Sequence, residues 1–426
     1  MATQSASRLA KLAATIVDSI ATLESSLQVH GVPSPSFDED APTLLPRDTV
    51  DVRDAIIDCA AEIQDMLQGP LDLMYRHGSA LTLWEFNNCV SLQAITRLKI
   101  ANIVPSGGQT SYTAIAKQTG LHEQAVRRLL RHAMTMRVFR EPEAGMVAHT
   151  QASRALLDPV ANDWVGLGTE EMWPAATRML DALQKWPGSQ EPRETGFALA
   201  NGSDRSIYQI LEADPGRALR FANSMKAYML MQEYNSTHVV NNYDWASLGQ
   251  VHLVDIGGGA GHVSVELATH FPNISVTVQD MENMFEGADS QIPAELQGRL
   301  KYMVHDFFTP QPVKADVYFL RWVFHNWSDK YCALIIKALI PALKPGARLI
   351  LNETCMPEPG AISHWREKYI RSFDLSMGAS FASYERSIDE WKALFAEVDQ
   401  RFKFQGVNGA TDSALSLIEF IWVSEE

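Results

Sequence analysis

The chain has 426 residues, 46% hydrophobic and 20% charged, so it exceeds the size at which one core keeps growing. Two domains, or one domain with a substantial appendage, are expected. A formal net charge of -15 is the wrong sign for holding nucleic acid by counterion release, and no apolar run is long enough to span a membrane.

Leu9, Leu12, Ile16, Ile20 and Leu23 recur at helical spacing, which predicts an amphipathic first helix that docks on a partner. Arg8 and Lys11, with no acid before Ala14, also suit a transit peptide, but the apolar spacing runs on past such a signal. Residues 31–46, with Pro33, Pro35, Pro42 and the acids Asp38 to Asp40, read as a linker. Residues 51–91 carry a helical pattern, and the aromatic-rich run 83–86 predicts burial. Residues 91–158 then follow the order of a winged helix: a helix, a loop, two short helices around Gly120, and an extended end. Arg127, Arg128, Arg131, Arg137 and Arg140 on and after its second helix suit DNA binding. The acidic chain and the frequent use of this fold for dimerisation favour a dimer unit instead.

Residues 162–243 read as mostly helical, with Trp164, Trp173, Trp186, Phe197, Phe221, Met225, Tyr228 and Met229 offering apolar surface. Most of these suit ordinary core; Met225 is singled out as a contact for a flat aromatic ligand. From residue 250 short apolar runs alternate with helical segments, with strands expected at 251–256, 274–279, 300–304, 315–322 and 347–352. That alternation predicts a doubly wound α/β domain with a parallel sheet covered on both faces. Two more strands, 402–407 and 415–423, lie close in sequence and are expected to pair antiparallel. The domains so read are 1–160, a helical pocket region at 161–245, and 246–426.

The strongest local pattern is Asp255-Ile256-Gly257-Gly258-Gly259-Ala260-Gly261 at the end of the first of these strands. Glycines suit a tight strand-to-helix turn that lets backbone approach a ligand. Dinucleotides, flavins, S-adenosylmethionine and a purely structural turn all fit it. Gly261 follows Gly259 by only two residues, without room for a diphosphate on the helix N-terminus, so a phosphate-free ligand is preferred. Asp280, ending the second strand, suits a pair of ribose hydroxyls. Asp306, followed by Phe307 and Phe308 after the third, suits an adenine amino group and its ring. Separately, Asp306 also suits a turn cap and the phenylalanines a core. Together they describe one nucleoside site at the carboxyl ends of successive strands.

The run Leu320-Arg321-Trp322-Val323-Phe324-His325-Asn326-Trp327-Ser328-Asp329, with residues 335–346 and 349–353 after it, resembles the plant caffeic-acid-type and fungal secondary-metabolite (sterigmatocystin-type) O-methyltransferases. The resemblance spans nearly the whole chain. It implies a winged-helix dimerisation domain before a Rossmann-like S-adenosylmethionine domain, and an intertwined homodimer. It places His325 at the catalytic base, with Glu353 and Glu385 at the two acidic positions beside it. It assigns Gly257, Gly258, Gly259, Gly261, Asp280, Asp306, Phe307 and Arg321 to the cofactor; Asp255, which opens the glycine run, is expected there as well, and Trp327 is expected to join Met225 at the acceptor. Asn326 stands where the plant members usually have aspartate, and Arg321 where they have lysine.

The chemistry accounts for these residue types. A phenol with a pKa of about 10 is mostly protonated at neutral pH, so an oxygen nucleophile needs a base as its new bond forms. Histidine, at about 6.5, is largely free to accept that proton. No acidic cluster suggests a metal, and none is expected. Cys59, Cys89, Cys332 and Cys355 lack metal-ligand spacing and suit a reducing, cytoplasmic setting. Two alternatives stand beside methyl transfer. Some fungal relatives keep the cofactor yet catalyse pericyclic ring formation, tending to lose the histidine; a winged-helix regulatory protein is the other.

Overall fold

The computed structural model describes residues 6–78, 84–285, 292–410 and 412–424. It divides into two compact units. Met1–Pro174, Leu211–Ala227 and Pro359–Tyr369 form the first; Ala175–Ile210, Tyr228–Glu358 and Ile370–Glu426 form the second.

In the first unit a helix at Arg8–His30 is opened by Ser7, whose hydroxyl accepts from the Ala10 amide, and is stopped by Gly31 at φ 64°. Residues 31–46 carry no α-helix, as their prolines predict. Leu12 and Leu27 are buried, whereas Val17 and Ile20 stay 66% and 43% exposed. The expected burial of 83–86 does not hold for Phe86, which is 45% exposed. The rest of that run lies outside the described side chains.

The winged-helix order is present: helices Tyr112–Thr119 and Glu123–Thr135 lie in the chain between the two strands of an antiparallel pair, β1 (Gln109–Ser111) and β2 (Met146–Ala148). Ile95, Ile100, Tyr112, Ile115, Val126, Leu130, Phe139 and Val147 share its core. Much of the basic cluster is committed within the unit. Arg127 pairs with Glu123 and Arg131 with Glu141, Arg137 lies over Phe37, and Arg140 donates to the His149 carbonyl. A recognition helix needs such arginines turned toward phosphates and bases.

The second unit is built on a seven-stranded sheet of β3 (Val251–Ile256), β4 (Ile274–Asp280), β5 (Leu300–Val304), β6 (Val317–Arg321), β7 (Arg348–Glu353), β8 (Phe402–Asn408) and β9 (Ser416–Trp422). Their order is β5-β4-β3-β6-β7-β9-β8. β3 to β7 are mutually parallel, and β9 runs antiparallel between β7 and β8. Alternation explains the layering: along β6, Tyr318 and Leu320 join one core cluster and Val317 and Phe319 the other. The sheet is therefore covered on both faces, and β3 with β6 forms the switch point where the chain winds in opposite directions. In open α/β sheets that crevice, beyond the carboxyl ends of the strands, is where ligands bind. Among the described residues no helix is long and apolar enough to cross a membrane.

The face under β9 centres on Phe395, fully buried and stacked on Phe420 at 4.0 Å between ring centres. Phe395→Ala removes that ring from a packed interior and is expected to cost about 3–5 kcal/mol, measured as the loss in a denaturant unfolding transition.

Candidate active site

The glycine turn after β3 owes its sequence to crowding. Gly257, Gly259 and Gly261 hold φ of 69°, 57° and 77°, and a side-chain carbon at Gly258 would lie 2.6 Å from the Asp255 carboxylate and 2.8 Å from Val278. At Gly257 it would meet Val323 at 2.8 Å. The amides of Gly257 and Gly258 both donate to the Gln279 carbonyl, which folds the turn back over β4. Asp255 lies under the turn, accepting from the Ser264 hydroxyl at 2.6 Å, and burial pushes its carboxyl up to about 6.

Asp280, at the end of β4, accepts from the amides of Gly259 and Met281, each at 2.8 Å. Burial raises its carboxyl, and those two amides pull it back part of the way. Asp306 is exposed and does cap a turn: its Oδ1 accepts from the Phe308 amide at 3.0 Å. Phe307 and Phe308 pack together and both meet Trp327 edge-on, and the Trp327 ring also stacks on Tyr208. Trp327 is thus gathered with the residues assigned to the nucleoside. Met225 is half-buried on the helix Pro215–Leu230, in the first unit.

These residues fit S-adenosylmethionine. The turn has space only for backbone, the carboxylates of Asp280 and Asp306 suit hydroxyl and amino donors, and residues 257–261 hold no cation to offset a diphosphate. Arg321, ending β6, donates to the Asn352 side chain and to the Tyr234 carbonyl. Burial draws its guanidinium down to about 10.

His325 sits on a short turn after β6, only 6% exposed. The turn begins at Trp322, which holds φ 53°, a left-handed conformation costly for a bulky side chain. Three groups maintain it. Glu353, at the end of β7, takes the Val323 and Phe324 amides on a single oxygen at 2.9 and 2.8 Å. Asn326 donates its side-chain amide back to the Trp322 carbonyl. Fully buried Arg386 donates to the carbonyls of Phe324 and Trp327 and to Asp329.

The imidazole Nδ1 lies 3.0 Å from Oε1 of Glu385, itself 3% exposed. A carboxylate there fixes the proton on Nδ1 and leaves Nε2 as the basic nitrogen. The rings of Trp322 and Phe373 both lie nearly parallel to it, with centres 5.7 and 6.0 Å away. Burial disfavours a charged ring, but the charge and hydrogen bond of Glu385, with the charge of Glu353, outweigh it and raise the imidazole above its ordinary value. Burial pushes the Glu353 carboxyl up to about 7. The two acids therefore do different things. Glu385 touches the ring, whereas Glu353 holds the turn.

Sequence reasoning did not pick out Trp322, Phe373 or Arg386 as members of this site. Trp322 stands inside the run 320–329 that carried the resemblance, and Arg386 directly follows Glu385. Phe373 lies mid-helix, where nothing in the local pattern separates it from core.

The O-methyltransferase domain family matches residues 184–400, and the O-methyltransferase dimerisation domain matches 82–159. The chain is 38% identical to the O-methyltransferase PaMT of Phomopsis amygdali, with 98% of this chain and 97% of that one covered. It is 36% identical to a chlorophenol O-methyltransferase of Trichoderma longibrachiatum, with 98% and 90% covered. Among solved structures, OxaC superposes with a TM-score of 0.75 at 18% identity, covering 96% of this chain and 100% of that one. LepI in complex with S-adenosylmethionine gives 0.72 at 21%, covering 95% and 99%; at such identities the likeness is one of fold. With the family's two domains matched in order and its relatives aligned end to end, the chain belongs to the S-adenosylmethionine-dependent O-methyltransferases.

Proposed function

We propose that the protein methylates a hydroxyl of an aromatic, polyketide-type small molecule, with His325 as the general base. The observation that carries this reading is the buried His325–Glu385 pair on the turn after β6, two residues past Val323, which packs against the glycine turn. Relatives point the same way: one is the O-methyltransferase of a grayanic acid biosynthesis cluster in Cladonia grayi, 36% identical with 98% of this chain and 89% of that one covered.

Bound S-adenosylmethionine supplies an electrophilic methyl group on a sulfonium. Gly257, Gly258, Gly259 and Gly261 admit the nucleoside against backbone, Asp280 accepts from the ribose hydroxyls, and Asp306 with Phe307 serves the adenine. Asp255 supports the turn from beneath, and Arg321 serves the amino-acid end. Trp327 joins the adenine side through its contacts with Phe307 and Phe308, and Trp322, on the ring face of His325, takes over the acceptor contact first assigned to it. Met225 remains a proposed acceptor contact. The Nε2 of His325 removes the hydroxyl proton as the oxygen attacks, and Glu385 stabilises the imidazolium that results. Retention of His325, Glu353 and Glu385 together favours transfer over ring formation. The dimerisation domain and the exposed Val17 and Ile20 of the first helix support pairing with a second copy.

Methyl transfer to a panel of phenols, followed as S-adenosylhomocysteine release, tests the reading. His325→Ala is expected to lower turnover by about 10²–10⁴-fold while donor affinity, measured by calorimetry, stays near wild type; unchanged turnover would remove His325 as the base.

The raised imidazole sets the pH dependence. The ring works only when neutral, so kcat is expected to rise with pH through an apparent pKa above the ordinary histidine value. Glu385→Gln removes the charge that favours the imidazolium, so this limb moves to lower pH as the maximal rate falls. A limb that stays in place in the variant counts against the pairing.

Glu353 separates the two acidic roles. Its glutamine carbonyl can still accept both turn amides, so Glu353→Gln is expected to keep activity within about tenfold of wild type. Glu353→Ala leaves two buried amides unpaired and is expected to lose about 1–3 kcal/mol of stability for each, read by thermal unfolding beside the rate.

A further inference from the structure

The base is held by a residue one step behind it. The rings of Trp322 and Phe373 lie nearly parallel to the imidazole and favour its orientation, but neither ring hydrogen-bonds to it to set its angle about its own axis. Among the described hydrogen bonds, that angle is set by Oε1 of Glu385. Glu385 lies in the irregular segment between the helices His364–Phe381 and Ile388–Val398, three residues after Ala382, whose φ is 53°. Helix and sheet ladders do not reach this backbone. Instead the Glu385 amide donates to Oδ1 of Asp374 at 2.7 Å, and Asp374 directly follows Phe373 on the helix.

We propose that Asp374 is a positioning residue for the base: by holding the Glu385 peptide it fixes the carboxylate that orients His325, so that one helix sets both a face and the in-plane angle of the imidazole. The inference rests on His325 acting as the base. Asp374 does not touch the imidazole among the described hydrogen bonds and acts through Glu385. Half-buried, it faces Glu385, Glu390 and Arg371, while Glu385, Glu353 and Arg386 act on His325 itself. Any effect of its charge must therefore be separated from the effect of its hydrogen bond.

Two substitutions do so without relying on a truncation that could unfold the segment. Asp374→Asn drops the charge but keeps a carbonyl oxygen where the Glu385 amide needs one. Asp374→Glu keeps the charge but adds a methylene that displaces the acceptor. The measurement is kcat against pH for both variants and wild type, per folded protein by circular dichroism, with His325→Ala alongside. Positioning predicts that Asp374→Asn stays within about threefold of wild type with its acid limb nearly unmoved. It predicts that Asp374→Glu falls by about tenfold or more and that its limb shifts to lower pH, because an imidazole that loses its carboxylate is a weaker base. Asp374→Glu behaving as wild type, or Asp374→Asn being as slow as Asp374→Glu, overturns the proposal. If His325→Ala itself retains turnover, the base assignment falls first; an inactive His325→Ala beside an unaffected Asp374→Glu rejects this inference alone.

Discussion

The second unit is organised around an ionisable pair almost wholly withdrawn from solvent. His325 and Glu385 sit 3.0 Å apart in the interior with Glu353 close enough to raise the imidazole further, an arrangement that is costly unless each polar group finds partners. The partners are the backbone of one turn. Glu353 takes two of its amides, Arg386 two of its carbonyls, and Asn326 closes it on itself. One oxygen of Glu353 and one of Glu385 have no hydrogen-bond partner among the described residues.

That turn is strained at Trp322, and the strain has a use. A left-handed residue at the end of β6 reverses the chain sharply enough to bring the Trp322 ring over the imidazole that follows three residues later. Asn326 illustrates why a small departure from the plant pattern is compatible with the same geometry. Its amide donates to the Trp322 carbonyl, a bond that an ionised aspartate, being an acceptor only, does not make. In this chain the residue beside His325 therefore acts on the backbone of the turn and adds no charge to the imidazole.

The cofactor side follows a simpler rule. Parallel strands deliver their carboxyl ends to one edge, and at the β3–β6 switch point the connections diverge and leave room there. The glycines of 257–261 keep that room free, and Asp280 is drawn into the turn by two amides rather than standing apart as a free carboxylate. Asp306 performs its plain role as a turn cap, which is compatible with its second oxygen serving a ligand. A residue in this setting need not choose between holding backbone and binding.

Periodicity and local chemistry determined much by themselves. Most of the strands from 251 to 353 were legible because parallel strands covered on both faces are nearly continuous apolar runs, and the last antiparallel pair because its connection is too short for a crossover. The glycine turn and the acids after β4 and β5 were legible because each lies within a few residues of its strand. What only the tertiary structure decided is which acid touches His325. Glu353 and Glu385 look equivalent in the sequence, yet the first ends a strand beside β6 and meets backbone, while the second lies 60 residues from His325 and reaches its ring. The rings of Trp322 and Phe373, and the hand of Asp374 on Glu385, were likewise beyond reach of pattern. They depend on how a helix packs over a loop, and contacts between segments so far apart leave no period in the chain.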